Sequence, residues 1–287
     1  METALEQARL FNKKCPIYLI ANSEALSAKS QTMDQHRITY IPIESLKRSR
    51  EHLLFQMSSE LDRNWRDGFW SFTTERFFYL SDAMELFDLK NVFHLENDNM
   101  LYADLETLLP VFKQHYPGMG IILFDDDHCV PSFMYIANKQ PIQKLCAEIV
   151  PLARKGVDDM SSLGTFKKRN PKEVVDCLPI IMERYPRNIL VQSKNPSLFS
   201  THLDAFQSIF DGASIGQYLG GWDPIHGPER AKPGTVREEC VFDPSCLKFI
   251  WEKDEEGRNV PYVVHQDQCY RINNLHIHSK NLKEFKS

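Results

Sequence analysis

An apolar run that ends in two carboxylates is the feature that most limits how this chain can fold. Residues 91–102 have the sequence NVFHLENDNMLY, in which Glu96 and Asp98 separate two apolar stretches. Residues two apart on an extended chain point to the same side, so a strand ending here brings both carboxylates to one point. Two like charges that close repel each other unless a cation lies between them. The segment therefore favours a strand-end site for Mn²⁺ or Mg²⁺, with a solvated acidic turn as the alternative.

Length and composition are those of an ordinary globular protein. The chain has 287 residues, 42% of them hydrophobic and 25% charged, with a formal net charge of −5. This mild acidity argues against a nucleic-acid-binding protein that relies on a broad basic face. Residues 1–7 lack the basic-then-apolar order of a signal peptide, and no apolar run approaches the ~20 residues that span a bilayer. Seven cysteines without a C-x-x-C pair indicate reduced thiols. We expect a cytoplasmic protein with neither a membrane span nor a nucleic-acid partner.

Apolar strands and amphipathic helices alternate along the first half of the chain. The predicted strands are 16–21, 37–43, 92–95, 120–124 and 132–137, and the predicted helices are 45–61, 73–87, 104–115 and 141–154. This alternation predicts an α/β fold with a mostly parallel central sheet flanked by helices, followed by a C-terminal elaboration. Because no clear linker interrupts the chain, we expect a single domain, with a ligand-binding half over residues 15–125 and a second half over residues 126–287.

Two further segments carry groups that can join the Glu96/Asp98 site. Arg76 follows Thr73 and Thr74 at the predicted start of a helix, where backbone N–H groups and a guanidinium attract phosphate; a surface arginine is the alternative. In the tail, strand alternation puts His276 and His278 on one face, and Lys280 follows them. Either histidine can complete a metal site and the lysine can neutralise a phosphate. An edge strand with polar residues facing water is the other interpretation.

A glycine-rich segment and an acidic pair complete the candidates. Within residues 210–224, Tyr218 and Trp222 can stack on a sugar or base, and Asp211 or Asp223 can hydrogen-bond hydroxyl groups. A structural loop explains the same glycines equally well, and no G-K-[ST] follows that would make a phosphate-binding P-loop. The pair 158–159 can orient an acceptor hydroxyl, with an acidic turn at a helix end as the alternative.

The order of these elements resembles one known family. Residues 74–77 (TERF), a helix, and then residues 91–102 are similar to GT-A glycosyltransferases, especially the glycogenin-like and galactosyltransferase-like group. Those enzymes carry an arginine on the helix before an apolar strand that ends in a D-x-D motif; here Glu96 takes the first position, so the motif is E-x-D. The resemblance implies a GT-A-like, Rossmann-like nucleotide-sugar-binding fold, a UDP- or GDP-sugar donor, a glycan or other hydroxyl acceptor, and Mn²⁺ or Mg²⁺ as cofactor.

The resemblance also implies roles for individual side chains. The metal would be held by Glu96, Asp98 and one of His276 and His278. Binding of the nucleotide sugar would involve Ala21, Asn22, Ser23, Arg76, Glu96, Asn97 and Lys280. The acceptor would contact Asp158, Tyr218 and Trp222. The base of an inverting reaction would be Asp159, Asp211 or Asp223, whereas a retaining reaction need not have one.

Two other functional classes remain open at this stage. A metal-dependent phosphoester hydrolase can use the same acids and histidines to activate water. The polar residues after the first predicted strand, Asn22 and Ser23, disfavour it, because such enzymes gather acids there. A non-catalytic nucleotide-sugar or glycan-binding protein of the same fold is the third class, and the glutamate at position 96 keeps it in consideration.

Overall fold

The computed structural model describes residues 1–24, 34–182, 193–237 and 240–287. The α-helices within these ranges are α1 (Glu2–Phe11), α2 (Arg50–Ser58), α3 (Phe69–Leu86), α4 (Leu105–His115), α5 (Lys139–Ala153), α6 (Asp159–Arg169), α7 (Leu203–Phe206) and α8 (Ser214–Gly220). None of the helices in the described part of the chain is long and apolar enough to cross a membrane.

The strands form several small sheets. They are β1 (Ile17–Ala21), β2 (Ile38–Pro42), β3 (Val92–Leu95), β4 (Asn99–Leu101), β5 (Met119–Leu123), β6 (Cys129–Ile136), β7 (Ser208–Ile209), β8 (Lys248–Lys253), β9 (Asn259–His265), β10 (Gln268–Ile272) and β11 (Asn274–His276). Their orders are β1–β2, β3–β6–β5, β4–β11 and β7–β10–β9–β8.

The prediction of a mostly parallel sheet is wrong. Among the described strands only β1–β2 and β7–β10 pair in parallel, and the other five pairings are antiparallel. The reason is the connection between β5 and β6, which spans only residues 124–128 and is too short for a crossover helix. The hairpin it forms inserts β6 between β3 and β5, so β3 and β5 run the same way but do not pair. The mixed α/β character of the chain is confirmed.

Strand β6 lies at the centre of the core and is buried along its whole length. Its Phe133 belongs to an aromatic cluster that joins distant parts of the chain. The ring of Phe112 in α4 lies 5.1 Å from that of Phe206 and 6.0 Å from that of Phe210, which is itself 5.1 Å from Phe133. Aromatic pairs at these separations add to the area that they bury. The core therefore includes residues from both predicted halves, whose boundary stays a prediction.

Helix α3 begins earlier than its sequence pattern predicts. Gly68, in the left-handed region at φ 88°, precedes the first helical residue, Phe69. Glycine enters this region at no steric cost, so the chain turns into the helix here and not at Thr73. Arg76 consequently lies in the second turn of the helix. Our expectation that Arg76 sits at a helix N-terminus is wrong, and any anion binding by this residue comes from its guanidinium alone.

A buried histidine joins α2 to α3. The Nδ1 atom of His52 lies 2.7 Å from Asp82 Oδ2 and its Nε2 atom lies 3.0 Å from Glu75 Oε1, with no part of the imidazole exposed. Both ring nitrogens therefore face carboxylates. Burial alone would lower the pKa of His52, but Asp82 and Glu75 outweigh it and raise the pKa above its ordinary value of 6.5.

This contact makes stability depend on pH. Because the folded-state pKa of His52 exceeds the unfolded value, the charged imidazole adds stability that is fully present below about pH 6.5 and is lost as pH rises through the folded-state pKa. We predict that the unfolding free energy of the wild type exceeds that of the Glu75→Gln/Asp82→Asn double variant by more at pH 6 than at pH 9. The difference should shrink by about 1.4 kcal/mol for each unit by which the carboxylates raise the pKa.

Urea denaturation at both pH values measures this difference. An equal difference at pH 6 and pH 9 would show that His52 is neutral in the folded protein.

Candidate metal centre

Pairing between β4 and β11 brings the two ends of the proposed site together. His276 lies directly opposite Asn99, and Asn274 lies opposite Leu101. The backbone N–H of Ile277 also donates to the carbonyl of Asp98, at 2.9 Å. The acidic segment after β3 and the histidine of the tail thus meet through regular strand geometry.

Three side chains converge at this junction. The Nε2 atom of His276 lies 3.0 Å from Glu96 Oε2 and 3.3 Å from Asp98 Oδ1. One ligand atom from each residue lies within 4.8 Å of the other two, and no other group of three potential ligands is this compact in the described ranges. Asp98 and His276 are buried, and 17% of the Glu96 side chain is exposed. Glu96 is therefore the most exposed of the three ligands.

Two cations occupy the remaining carboxylate oxygens. Arg76 donates to Glu96 Oε1 and, through its other terminal nitrogen, to Asp159. Lys280 donates to Asp98 Oδ2. Burial would raise the pKa of both cluster carboxyl groups, but Arg76 lowers the pKa of Glu96, and His276 with Lys280 lowers the pKa of Asp98. Both groups are thus held as carboxylates, each with one oxygen on a cation and the other directed at His276.

The protonation of His276 is set by its second ring nitrogen. Nδ1 lies 2.6 Å from the carbonyl oxygen of Gly212, so it must carry a hydrogen and donate. Nε2 is then the nitrogen that binds either a proton or a metal ion. Burial lowers the pKa of His276, but Asp98 and Glu96 outweigh it and raise the pKa well above 6.5. A carbonyl behind a metal-binding histidine is a common way to fix its orientation.

The donor set fits a hard divalent cation with one nitrogen ligand. An octahedral ion with ligands at ~2.1 Å separates neighbouring ligand atoms by about 3.0 Å. The distances from Nε2 to the two carboxylate oxygens, 3.0 and 3.3 Å, are close to this spacing. Carboxylate oxygens suit Mn²⁺ and Mg²⁺, and the imidazole favours Mn²⁺ of the two.

Asp211 supports the cluster from behind. Its buried carboxylate accepts from the backbone N–H groups of Ile215 at 3.0 Å, Gly216 at 2.8 Å and His276 at 3.0 Å. Burial raises the pKa of Asp211, although these bonds oppose the shift. The carboxylate thereby fixes the first turn of α8 to β11. The glycine-rich segment 210–224, for which a structural loop is one interpretation of the sequence, contains α8, because Asp211 satisfies the free N–H groups of the helix start.

Sequence reasoning missed an amide network next to Asp211. The side-chain nitrogen of Asn274 donates to Asn99 Oδ1 at 3.0 Å and to the carbonyl of Asp211 at 2.8 Å. Asn99 in turn donates to the carbonyl of Ser132 at 2.7 Å, which ties β4 to β6. Both asparagines are buried. The sequence does contain a signal for this network. Asn99 directly follows Asp98, and Asn274 lies two residues before His276, so both asparagines are next to candidate metal ligands.

The other candidate acids occupy different positions. Asp159 is buried, pairs with Arg76, and has its pKa raised to about 6 by burial. Asp158 caps α6 by accepting from the backbone N–H of Ser161 at 2.8 Å. Asp223 accepts from Arg66 at 2.6 Å. Burial would raise the pKa of Asp223, but a backbone N–H, Arg66 and Lys280 together lower it. Of these three acids, only Asp159 is hydrogen-bonded to a residue, Arg76, that also donates to the metal-ligand cluster.

The two histidines of the tail are not equivalent. His278 is not among the three clustered ligands; its Nδ1 atom lies 3.0 Å from the side-chain nitrogen of Gln217. Its ring centre is 4.3 Å from that of His276. Asn97, in the turn between the two carboxylates, is exposed.

The predicted nucleotide-binding residues of the first strand end make contacts with β2 and the turn after it. Tyr40 donates to the carbonyl of Ala21 at 2.9 Å. The hydroxyl of Ser23 donates to Glu44 at 3.0 Å, and Asn22 lies between these two positions. This strand end is thus organised by the parallel β1–β2 pair.

The predicted aromatic residues for the acceptor lie on and after α8. The ring of Tyr218 is 6.0 Å from that of Phe249 on β8. Trp222 is 6% exposed, and the guanidinium of Arg230 lies 5.1 Å from its ring centre. Its indole Nε1 is buried and has no hydrogen-bond partner within the described ranges. Trp222 is therefore a buried part of this loop and not an exposed aromatic surface.

Comparison with known proteins gives only a loose structural similarity. No family model matches the chain, and no curated protein matches it. Among solved structures, the apo crystal structure of mouse xyloside xylosyltransferase 1 is similar at a TM-score of 0.43 and 11% identity, over 60% of this chain and 76% of that one. At this level of similarity the activity of that enzyme does not transfer to this chain.

We predict unequal effects from substituting the two tail histidines. His276→Ala removes one of three ligands and should weaken Mn²⁺ binding at least roughly tenfold, whereas His278→Ala should change it far less. Calorimetric titration of each purified variant with Mn²⁺ measures the affinities, and circular dichroism verifies folding. Equal losses in both variants would remove the distinction that the geometry makes.

We also predict that Gly216→Ala disturbs the centre through the backbone. A Cβ atom at Gly216 would lie 2.1 Å from the carbonyl oxygen of His276, so β11 must move. Overpacking of this kind costs about 1–3 kcal/mol, and Mn²⁺ affinity should fall with stability. Gly220→Ala, on the same helix, is the matched control because its Cβ would meet only side-chain atoms, at 3.3 Å. Identical urea midpoints for the two variants would contradict the close approach.

Proposed function

We propose that this protein is a metal-dependent glycosyltransferase that moves a sugar from a nucleotide-diphosphate sugar to an acceptor hydroxyl. The observation that carries the proposal is the convergence of Glu96, Asp98 and His276, with Lys280 on Asp98. Asp98 and Lys280 are 182 residues apart in the chain. The same residues are those that the resemblance to GT-A enzymes implies, namely the acids of the E-x-D motif, a histidine late in the sequence and a lysine that follows it.

The cofactor we propose is Mn²⁺ or Mg²⁺, held by Glu96, Asp98 and His276. When bound, such an ion supplies Lewis-acid stabilisation of the diphosphate oxygens as the glycosidic bond breaks. The protein holds the ligand atoms at the required spacing before any substrate arrives. Preorganised charge of this kind is usually the largest contribution that an enzyme makes.

Lys280 is the group we assign to the leaving diphosphate. Its side chain is 55% exposed and has Asp98 as its carboxylate partner. An ammonium on a flexible stem can exchange a carboxylate for a phosphate oxygen without moving the backbone. Arg76 differs, because two acids hold its guanidinium and it keeps Glu96 in place. Its buried Nε atom has no partner in the described part of the chain and adds a donor for an anionic ligand.

The three candidate bases differ in how exposed their carboxylates are. Asp211 is buried and accepts from three backbone N–H groups, and Asp159 is buried and accepts from Arg76 and from the backbone N–H of Met160 at 2.9 Å. Asp223 also has two partners, Arg66 and the backbone N–H of Ile225 at 3.1 Å, but its side chain is 17% exposed, and Lys280 is close enough to lower its pKa. We therefore favour Asp223 as the acid that faces the acceptor hydroxyl, with Asp159 as a positioning residue for Arg76 and Asp211 as one for His276.

We predict that the melting temperature rises only when Mn²⁺ and one nucleotide are present together. A ligand at a hundredfold excess over its Kd stabilises the folded state by about 2.7 kcal/mol. The test is thermal denaturation with UDP, GDP, CMP and TDP sugars, each with and without Mn²⁺. Asp98→Asn should abolish the joint shift. Asp127→Asn is the matched control, because that exposed acid pairs with Lys168 away from the cluster.

A second assay distinguishes the competing classes. A transferase should release free nucleoside diphosphate faster when an acceptor is present. A joint shift without any release would favour a binding protein, whereas release of phosphate from non-sugar nucleotides would favour a hydrolase. The absence of any joint shift in folded protein would overturn the proposal.

A further inference from the structure

A partly exposed aromatic group lies at the start of α3. It consists of Trp65, Phe69 and Trp70, which we call the Trp65 platform. The rings of Trp65 and Trp70 stack with centres 5.5 Å apart at an interplanar angle of 10°, and Phe69 packs edge-on against both. Trp65 nevertheless leaves 38% of its surface exposed. An indole held rigidly by two other rings and open to solvent is poorly explained by core packing.

The backbone beneath the platform is strained. Arg66, Asp67 and Gly68 all have positive φ angles, of 50°, 54° and 88°. A non-glycine residue in this region costs free energy and persists only where its surroundings impose it. Here two consecutive non-glycine residues, Arg66 and Asp67, have positive φ angles. Trp65 therefore lies outside the helix, which begins at Phe69. Strain of this kind is concentrated at ligand sites.

An ion pair connects the platform to the acceptor side of the proposed active site. Arg66 donates to Asp223 Oδ2 at 2.6 Å, and its guanidinium lies 5.3 Å from the centre of the Trp65 ring and 4.7 Å from that of Phe69. Asp223 belongs to the same loop as Trp222, whose buried Nε1 has no partner in the described ranges. The platform and this loop are therefore in direct contact through Arg66.

Helix α3 fixes how far the platform lies from the metal ligands. Phe69 and Arg76 are seven residues apart and share a face of the helix, which separates them by about 10 Å along its axis. Arg76 contacts Glu96 directly. The platform is thus too far away to touch the reacting atoms but near enough for the next part of an extended substrate.

We propose that the Trp65 platform binds a pyranose ring of a neutral oligosaccharide acceptor, beyond the ring that receives the transferred sugar. The inference rests on the proposed transferase function and specifies its acceptor class. The apolar face of a pyranose can stack on the exposed indole. Arg66 and Asp223 neutralise each other, so together they offer donors and acceptors for hydroxyl groups without attracting a charged ligand.

Binding of oligosaccharides to platform variants tests the proposal. Cellotetraose, maltotetraose, xylotetraose and mannotetraose are titrated calorimetrically into the wild type and into Trp65→Ala, Trp65→Phe and Phe72→Ala. We expect at least one tetrasaccharide to bind the wild type, and Trp65→Ala to weaken it roughly tenfold, as loss of a stacking ring does elsewhere. Trp65→Phe should retain most of the affinity. Phe72→Ala removes another exposed ring of the same helix, 66% exposed, and should have no effect.

Donor binding provides the second readout. The joint Mn²⁺ and nucleotide thermal shift should be the same in Trp65→Ala as in the wild type. Loss of this shift in Trp65→Ala would assign the platform to the nucleotide base and overturn the proposal. Equal tetrasaccharide affinity in wild type and Trp65→Ala, or no binding of any of the four, would also overturn it. If tetrasaccharides bind through Trp65 but no nucleotide binds, the platform stands and the transferase function fails.

Discussion

The candidate metal centre depends on an antiparallel pairing between two strands of three residues each, β4 and β11. This pairing places His276 beside the two acids that follow β3. It also brings Lys280 to Asp98, although these two residues are 182 positions apart in the chain. Such short strands have few hydrogen bonds of their own. Three contacts hold them in register. They are the hydrogen bond from the side chain of Asn274 to that of Asn99, the hydrogen bond from the backbone N–H of His276 to the Asp211 carboxylate, and the close approach of Gly216 to the His276 carbonyl. The accuracy of the centre thus comes from buried polar contacts that specify a single register, as such contacts do in other folds.

Charge compensation explains why the acids can be buried at all. An unpaired carboxylate in a protein interior is costly, and two adjacent ones are more so. Here each acid divides its two oxygens between a cation and His276, so neither lacks a partner. The two cations are of different kinds, because Arg76 is anchored between Glu96 and Asp159 while Lys280 reaches Asp98 from an exposed position. One cation therefore maintains the structure and the other is available for exchange.

Local patterns in the sequence predicted much of this arrangement. Three features depend only on neighbours in the sequence and are present in the structure. They are the apolar strand before Glu96, the strand that carries His276, and the helix before β3. The strand directions differ from those that strand–helix alternation predicts, because the short connection 124–128 forces an antiparallel hairpin. The start of α3 differs from the amphipathic pattern because Gly68 turns the chain into the helix before Phe69. The role of Asp211 could not be predicted, since its partners include a backbone group 65 residues away.

The positions of these segments along the chain also determine the order in which the parts of the centre are synthesised. Residues 96–98 are synthesised early, and β11 is made only after most of the core-forming segments. Until β11 docks, the two acids have only Arg76 to offset their charge, and the contact with His276 closes a very long loop. A chain released or cleaved before residue 274 would retain much of the aromatic core but lack the imidazole and the ammonium. The centre therefore forms only after the segment that carries β11 and Lys280 has been synthesised and has docked against β4.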